Sequence, residues 1–295
     1  MKFSLGIVLV LAAVACAKQL PFEPVEVESL TAYNYFERYG IPEAERIRKH
    51  EEELMNNPER ITGGSASSLG QFPWQAGLVI DLIGISGNGV CGGSVLSATR
   101  IITAAHCWFD GRNQAWRMTT VTGSTTLFFG GTRIQSTNVV MHGSWNPSQI
   151  RNDVAMIILP SFLTFSNNVR AIALPPSDEN FAGETATASG FGLTNDGGGI
   201  SNNQFLSHVS LSVITNTVCW LSFPGVIQDS NICTSGAGGA STCSGDSGGP
   251  LVVNRNNQPV LIGITSFGSA LGCTRGFPAA FARVTSFRAW INQNL

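Results

Sequence analysis

Lysine and tyrosine are absent from residues 61–295, although the same stretch contains ten arginines. Lysine is among the commonest residues of ordinary domains, so its absence over this length is a marked deviation. Both missing side chains titrate near pH 10, whereas arginine stays charged well above that pH. The composition leads to the hypothesis that this part of the protein works in strongly alkaline fluid. Two alternatives could explain the absence of lysine. Avoidance of cleavage by co-secreted trypsins is the weaker one, because it would remove arginine as well. The other is a compositional accident.

Long apolar runs are also missing, since no stretch reaches the roughly 18 residues of a membrane span. A short apolar run, Leu5 to Ala15, follows Lys2 and precedes a small-residue cleavage site that ends at Ala17, which predicts a signal peptide over residues 1–17. Residues 61–295 contain ten arginines and nine acidic residues, and this near balance of charge does not favour nucleic-acid binding. We therefore expect an exported protein that binds neither membrane nor nucleic acid.

The sequence contains no CxxC pair and no histidine cluster, which disfavours a zinc site. Of the seven cysteines, Cys16 lies in the predicted signal peptide, and the other six form an even set typical of disulfides in an oxidising compartment. Spacing alone does not choose among the possible pairings. We expect three disulfides, no metal and no cofactor.

Residues 18–60 differ in composition from the rest, with ten acidic residues, six basic residues and all three tyrosines. The stretch from Glu43 to Glu53 is charged and compatible with a helix, which Asn56 to Pro58 would end. This pattern indicates an activation pro-segment that ends at Arg60, a site of the kind that a trypsin-like processing enzyme cuts. A solvated N-terminal helix of the mature domain is the alternative. Because no cysteine tethers the segment, we expect it to dissociate after cleavage.

From Gln71 onward, short β-branched runs recur between Gly, Asn, Asp and Ser turns, which predicts an all-β barrel or sandwich. The runs are Gln75–Ile80, Val95–Ala105, Met118–Leu127, Val154–Leu159 and Val260–Ser266. The clear helical candidate beyond residue 60 is the tail from Ser286, where Phe287, Trp290 and Ile291 follow helical spacing.

A single serine, Ser247, lies in the glycine-rich run Ser241–Pro250. Glycines allow a tight turn that brings backbone N–H groups close to a reacting carbonyl. The N–H groups of Gly245 and Ser247 could converge on a developing oxyanion. A serine hydroxyl alone is a poor nucleophile, so the run predicts a base and an orienting group elsewhere. An ordinary surface loop is the alternative.

Two residues offer the missing partners. His106 ends an apolar run beside Cys107, and Asp153 begins another apolar run, where an unpaired carboxylate would be costly to bury. A histidine N–H is a suitable partner for that carboxylate. Each residue alone is more often structural, but together with Ser247 they give the chain order His, Asp, Ser.

The runs Thr103–Cys107, Asp153–Met156 and Gly245–Pro250, in this order, resemble the chymotrypsin-like serine endopeptidases. The resemblance extends to Ile61–Gly64 and Ser266–Gly268, and its details look most like insect midgut chymotrypsins, particularly those of caterpillars (Lepidoptera). It implies two six-stranded antiparallel β-barrels with the active site between them and a short C-terminal helix.

On this resemblance, residues 61–295 are the protease domain, with the boundary between the barrels near residues 175–185. Ser247 is the nucleophile, His106 the general base, and Asp153 the group that orients His106. Gly245 and Ser247 form the oxyanion hole.

The resemblance also implies how the enzyme is activated and which disulfides stabilise it. A cut after Arg60 would let the new ammonium group of Ile61 fold onto Asp246 and order the oxyanion loop. The implied disulfides are Cys91–Cys107, Cys219–Cys233 and Cys243–Cys273.

Four residues are implied to bind substrate. Ser241 is the floor of the primary pocket, where a neutral residue argues against Lys or Arg side chains and for large apolar ones. Gly268 leaves one wall open, and Ala279 stands where glycine is commoner on the opposite wall. Ser266 to Gly268 would pair with the substrate backbone as an added strand. The methyl group of Ala279 leaves an elastase-like preference open as an alternative.

The sequence thus predicts a secreted, digestive zymogen of a serine endopeptidase that cleaves protein or peptide substrates after Phe, Tyr or Leu. We expect a monomer in an extracellular, alkaline gut lumen, with a trypsin-like activating protease and protein protease inhibitors as partners. A non-catalytic homologue that acts as a binding protein is the alternative, although His106, Asp153 and Ser247 are all present. A lipase is disfavoured because the Gly-x-Ser-x-Gly elbow would need glycine where Asp246 stands.

Overall fold

The computed structural model of this chain describes residues 24–56, 67–194, 196 and 205–295. The predicted signal peptide and the Arg60–Ile61 junction lie outside the described residues. Two sheets of antiparallel strands form most of the described part, the first ending at Ile158 and the second beginning at Thr185. The predicted all-β class with two barrel-like sheets is therefore confirmed.

The first sheet contains seven strands. They are β1 Gln75–Leu82, β2 Asn88–Ser97, β3 Arg100–Thr103, β4 Ala115–Thr122, β5 Thr132–Ser136, β6 Val139–Met141 and β7 Ala155–Ile158. Their order in the sheet is β5-β4-β1-β2-β3-β7-β6. In β1, the alternate residues Leu78, Ile80 and Leu82 pack in the main core, and Val79 on the other face is buried in a second cluster, so both faces of this strand are covered.

The strand count of the first sheet differs from the expected six because one strand is divided. Its edge strands β5 and β6 are separated in the chain by only Thr137 and Asn138, so the sheet curves until its two edges meet. The hydroxyl of Ser136 accepts a hydrogen bond from the Asn138 N–H at 3.0 Å. Such a local side-chain bond competes with the strand ladder and bends the chain between β5 and β6.

The second sheet is a closed barrel of six strands. They are β8 Thr185–Gly190, β9 Ser207–Ile214, β10 Asn231–Thr234, β11 Pro250–Arg255, β12 Gln258–Phe267 and β13 Ala279–Arg283. Their order is β10-β13-β12-β11-β8-β9. Asn256 and Asn257 connect β11 to β12 in a two-residue turn with φ values of 52° and 62°. Asparagine tolerates this left-handed conformation, which suits a tight hairpin.

Three α-helices are present in the described residues, namely α1 Ile41–Asn56, α2 Asn216–Trp220 and α3 Val284–Asn294. The last helix begins slightly before the predicted Ser286 and buries Val284, Phe287 and Ile291 against the core. None of the described helices is long and apolar enough to cross a membrane.

Residues 24–56, called here the N-terminal segment, pack against both sheets. The segment contains a 3-10 turn at Val27–Ser29, a π-helical turn at Phe36–Gly40, and helix α1, which includes the predicted stretch Glu43–Glu53. Tyr35 and Ile47 are no more than 1% exposed. The segment is thus an integral part of this structure, not a solvated appendage.

Candidate active site

His106 and Asp153 are brought together by the pairing of β3 with β7. His106 follows β3 in a 3-10 turn, and Asp153 shortly precedes β7. In the antiparallel register, Thr103 at the end of β3 lies opposite Ala155 at the start of β7. The two residues that the sequence places at the ends of apolar runs therefore meet at one edge of the first sheet.

The carboxylate of Asp153 accepts two hydrogen bonds from His106. The ring Nδ1 lies 2.7 Å from Oδ2, and the backbone N–H donates to Oδ1 at 2.9 Å. The hydroxyl of Ser266 also donates to Oδ2, at 2.5 Å. His106 and Asp153 are no more than 2% exposed.

Burial by itself raises the pKa of Asp153. The adjacent His106 and the hydrogen bonds from His106 and Ser266 outweigh burial and hold this pKa below its usual value. An ionised carboxylate at this distance favours the imidazole tautomer with the proton on Nδ1. The Nε2 atom of His106 is then the ring nitrogen able to accept a proton.

Ser247 lies in a sharp turn held between the two sheets. Gly245 and Gly248 flank it with φ values of 96° and 79°, a conformation that glycine adopts readily. The Ser247 carbonyl accepts from the Gly92 N–H of β2 at 2.7 Å, and the Gly248 N–H donates to the Thr265 carbonyl of β12 at 2.7 Å. The predicted nucleophile is therefore fixed at the junction of the sheets.

Tyr35 of the N-terminal segment reaches the same place. Its ring packs edge-on against His106 with the centroids 5.0 Å apart. Its hydroxyl donates to the Val90 carbonyl at 2.7 Å. Burial raises the pKa of Tyr35, and the nearby Ser247 side chain and Gly245 backbone oppose the rise. A phenol thus lies among three of the predicted site residues.

A cavity of about 360 Å³ adjoins Ser247. The sequence-predicted residues Ser241, Ser266 and Gly268 line it. Asp196, which the sequence analysis does not include, lies at this cavity as well, and its carboxylate accepts the backbone N–H of Cys273 at 2.6 Å.

Ala279 is placed differently from the expectation that it forms a pocket wall. It is 2% exposed and packs in the core of the second barrel, while Phe277 and Pro278 line the cavity on that side of the chain. The physical reason is its position as the first residue of β13, where it pairs with Thr234 of β10.

The strand end predicted to bind substrate pairs with the N-terminal segment. Thr31 donates its backbone N–H to the Gly268 carbonyl at 3.2 Å, and Gly268 donates its N–H to the Thr31 hydroxyl at 2.9 Å. Leu30 forms an antiparallel bridge with Ser269. The edge beyond Ser266 is therefore already occupied in this chain.

Asp246 points into the base of the Ser247 turn. Its carboxylate accepts the backbone N–H groups of Gly192 and Cys243, each at 2.9 Å. Although part of the side chain remains accessible, burial of the carboxyl group raises its pKa to about 6, and the nearby Glu43 raises it further while Arg46 lowers it. Such a carboxylate is stabilised by an added cation.

The six cysteines outside the signal peptide form the pairs Cys91–Cys107, Cys219–Cys233 and Cys243–Cys273, which are those that the resemblance implies. In the described residues, two clusters have the spacing of a metal site, one around His106 and one around Asp196. Each contains two of these bridged cysteines, and a bridged cysteine offers no thiolate to a metal.

The fold also brings Thr31, Tyr35 and Glu43 to this site, and no sequence motif marks them. The contacts of Thr31 and Tyr35 with this site, and the effect of Glu43 on Asp246, join residues more than 50 positions apart and leave no local periodicity. The one available signal was the clustering of all three tyrosines in residues 33–39.

Comparison with known proteins places this geometry among related chains. The trypsin family model matches residues 61–291. The collagenase of Hypoderma lineatum is 38% identical over 239 residues, which are 80% of this chain and 87% of that protein. Brachyurin of Leptuca pugilator is 39% identical over 78% of this chain and 96% of its own length. The solved structure of HL collagenase matches with a TM-score of 0.71 and 36% identity, covering 79% of this chain and 98% of that one.

Proposed function

The chain belongs to the trypsin family of serine proteases, and on that premise we propose that it is the secreted zymogen of a digestive endopeptidase. In this proposal residues 1–17 are a signal peptide, residues 18–60 a pro-segment, and residues 61–295 the protease. The observation that carries the catalytic part is the buried His106–Asp153 pair beside the constrained turn of Ser247.

The reaction begins with attack of Ser247 Oγ on the scissile carbonyl. His106 Nε2 takes the hydroxyl proton and later returns it to the leaving amine, while Asp153 stabilises the imidazolium that forms. Water then hydrolyses the acyl-enzyme by the same proton path. The hydroxyl of Ser266 acts through Asp153, because its hydrogen bond keeps that carboxylate ionised.

The backbone N–H groups of Gly245 and Ser247 stabilise the oxyanion. One such donor is worth about 3–4 kcal/mol of transition-state stabilisation. The positive φ of Gly245 is compatible with this role, since glycine readily adopts the tight turn that an oxyanion hole requires.

Activation follows from a cut after Arg60. The new ammonium group of Ile61 folds inward and pairs with Asp246, whose buried carboxyl group lacks a strong cationic partner among the described residues that act on its pKa. Pairing the two charges orders the turn that carries Gly245. A trypsin-like protease is the activating enzyme that Arg60 requires.

The preferred residue before the scissile bond is large and apolar. Ser241 gives the cavity beside Ser247 a small neutral side chain, and Gly268 leaves one wall without any side chain. The carboxylate of Asp196 at the same cavity already accepts the backbone N–H groups of Cys273 and Thr274. An elastase-like preference loses support, because it depended on Ala279 and this residue packs in the barrel core. Protein substrates in an alkaline gut lumen, regulation by protein inhibitors and a monomeric state complete the proposal.

The test is a comparison of kcat/KM on peptide substrates that end in Phe, Tyr, Leu, Ala and Arg, after the cut at Arg60. Phe, Tyr and Leu are expected to be cleaved best. Dominant cleavage after Arg contradicts the role of Ser241, and dominant cleavage after Ala restores the elastase-like alternative. Native collagen is included because one relative is named a collagenase.

A further inference from the structure

The N-terminal segment enters the active-site cleft as an added strand. Ser29 accepts the backbone N–H of Ala270 at 2.8 Å, Leu30 bridges Ser269, and Thr31 donates to Gly268. The pairing is antiparallel, the arrangement in which a peptide adds to an exposed strand edge. This strip of the chain therefore occupies the edge on which substrate backbone would lie.

After Thr31 the segment leaves the path of an extended peptide. Residues 31–34 form a turn, and Asn34 has a φ of 50°. Asp110 holds this turn, since its carbonyl accepts the Asn34 N–H at 3.1 Å and its carboxylate accepts the Phe36 N–H at 2.9 Å. Beyond this turn the Tyr35 ring packs on His106, with the centroids 5.0 Å apart, and the backbone does not continue along the strand edge. We therefore expect the segment to block the site without being cut there.

The rest of the segment is anchored on the first sheet. Phe36 is fully buried in a notch made by Gly89, where a Cβ would lie 2.5 Å from the phenyl ring. Ile47 of α1 is also fully buried. The carboxylate of Glu51 accepts three backbone N–H groups from residues 127–129, at 2.5, 2.8 and 3.2 Å. These contacts do not depend on the peptide bond between Arg60 and Ile61.

We propose that the N-terminal segment is a built-in inhibitor, which fills the cleft and remains bound after the cut at Arg60. Activation then takes two steps, cleavage and release of the segment. The expectation that the segment dissociates because no cysteine tethers it is replaced by retention through the contacts of Tyr35, Phe36 and Glu51. The inference rests on the proposed function, because it names the occupant and the regulation of the same site.

The test uses the full chain with residues 57–59 replaced so that a sequence-specific protease cuts only after Arg60. N-terminal sequencing confirms Ile61, and hydrolysis of a small peptide substrate is then followed at different protein concentrations. For a complex with a Kd near 1 nM, the cut chain at micromolar concentration shows less than about one tenth of the specific activity seen after roughly 1000-fold dilution. Full activity at micromolar concentration immediately after the cut overturns the proposal.

Variants locate the effect in the cleft. Tyr35→Ala removes a fully buried ring and is expected to weaken segment binding by roughly 100-fold or more. The cut variant at micromolar concentration should then show about a quarter or more of the activity seen after dilution. Tyr35→Phe, which keeps the ring, is the second variant should the alanine chain fold poorly, and an intermediate effect is expected. Glu45→Ala, at an exposed position of α1, is the matched control and should behave as the unmodified chain.

A second readout does not require activity. In the Ser247→Ala chain, the cut N-terminal fragment is expected to co-elute with residues 61–295 in gel filtration, and immediate separation overturns the proposal. If the fragment of the unmodified chain co-elutes with residues 61–295 while that enzyme is fully active, the fragment binds without inhibiting, and the proposal is also wrong. If the enzyme stays inactive after the fragment has been removed, the proposed proteolytic function fails, while co-elution still reports on binding.

Discussion

The buried phenol of Tyr35 makes binding of the N-terminal segment sensitive to alkaline pH. In the free segment its pKa returns to the ordinary value of 10.0, whereas burial against the first sheet raises it in the bound form. The charges that face it, Glu43 of the segment and Asp246 of the turn, raise it further, and its ring packs on His106. Tyr39, the other tyrosine in contact, is half-buried, and burial raises its pKa too.

The sign of the effect follows from the raised pKa of the bound form. Affinity is fully present below the free value of 10.0 and is lost as pH rises above it, because the free segment releases a proton that the bound segment keeps. One such proton weakens binding about tenfold for each pH unit above 10. Residues 61–295 contain no lysine or tyrosine. The Ile61 amino group is therefore the main other group of the cut enzyme whose titration near this pH could affect the measurement.

Tyr35→Phe is the perturbation that isolates this proton. It keeps the ring but loses the hydrogen bond to Val90, which costs about 0.5–1.5 kcal/mol, so binding at pH 8 is expected to weaken by up to roughly tenfold. The apparent inhibition constant of the cut chain is measured from a dilution series, which is repeated at several pH values between 8 and 11. The unmodified chain should show a steeper loss of inhibition above pH 10 than the Phe variant, which retains only the smaller contribution of Tyr39. Equal slopes for the two chains would refute the reasoning.

Three further changes test other contacts. Ser266→Ala removes a donor to Asp153 and should lower kcat about tenfold with KM unchanged, and a change confined to KM in steady-state kinetics contradicts the positioning role. Glu51→Gln weakens the bonds to Leu127–Phe129 and should raise the inhibition constant of the cut segment roughly tenfold or more, whereas a matched change at an exposed neighbouring position of α1 should not. Ionisation of Asp246 should lower the unfolding free energy of the uncut chain by up to about 3 kcal/mol as pH rises from 4 through 6, because its pKa is raised in the fold. Asp246→Asn should remove this part of the pH dependence in denaturant titrations, and an unchanged slope argues against it.

The fold and the positions of the predicted catalytic residues could be foreseen because local signals mark them. Each of His106 and Asp153 stands at the end of an apolar run, and antiparallel pairing of those runs brings the two together. The glycines around Ser247 predict a tight turn, and Gly245 and Gly248 adopt the positive φ values that such a turn requires. The disulfide pairing needed more than spacing and came from family resemblance.

Other features depend on contacts that the sequence does not encode locally. The first sheet has seven strands because β5 and β6 are separate, and between them the Ser136 hydroxyl accepts the Asn138 N–H, a local bond that residue spacing does not predict. Ala279 lies in the barrel core because of the register of β13, which cannot be read from a single alanine. The approach of Tyr35 to Ser247 is a long-range contact, and the composition of residues 18–60 indicated a pro-segment without showing where it lies.

Labelling with a serine-directed fluorophosphonate tests the central claim most directly. After the cut at Arg60 and removal of the N-terminal segment, the probe is expected to modify one serine, Ser247, with loss of peptide hydrolysis in proportion to labelling. The His106→Ala chain should react far more slowly. An unlabelled Ser247 in an enzyme freed of its segment, or hydrolysis that survives Ser247→Ala, would contradict the account.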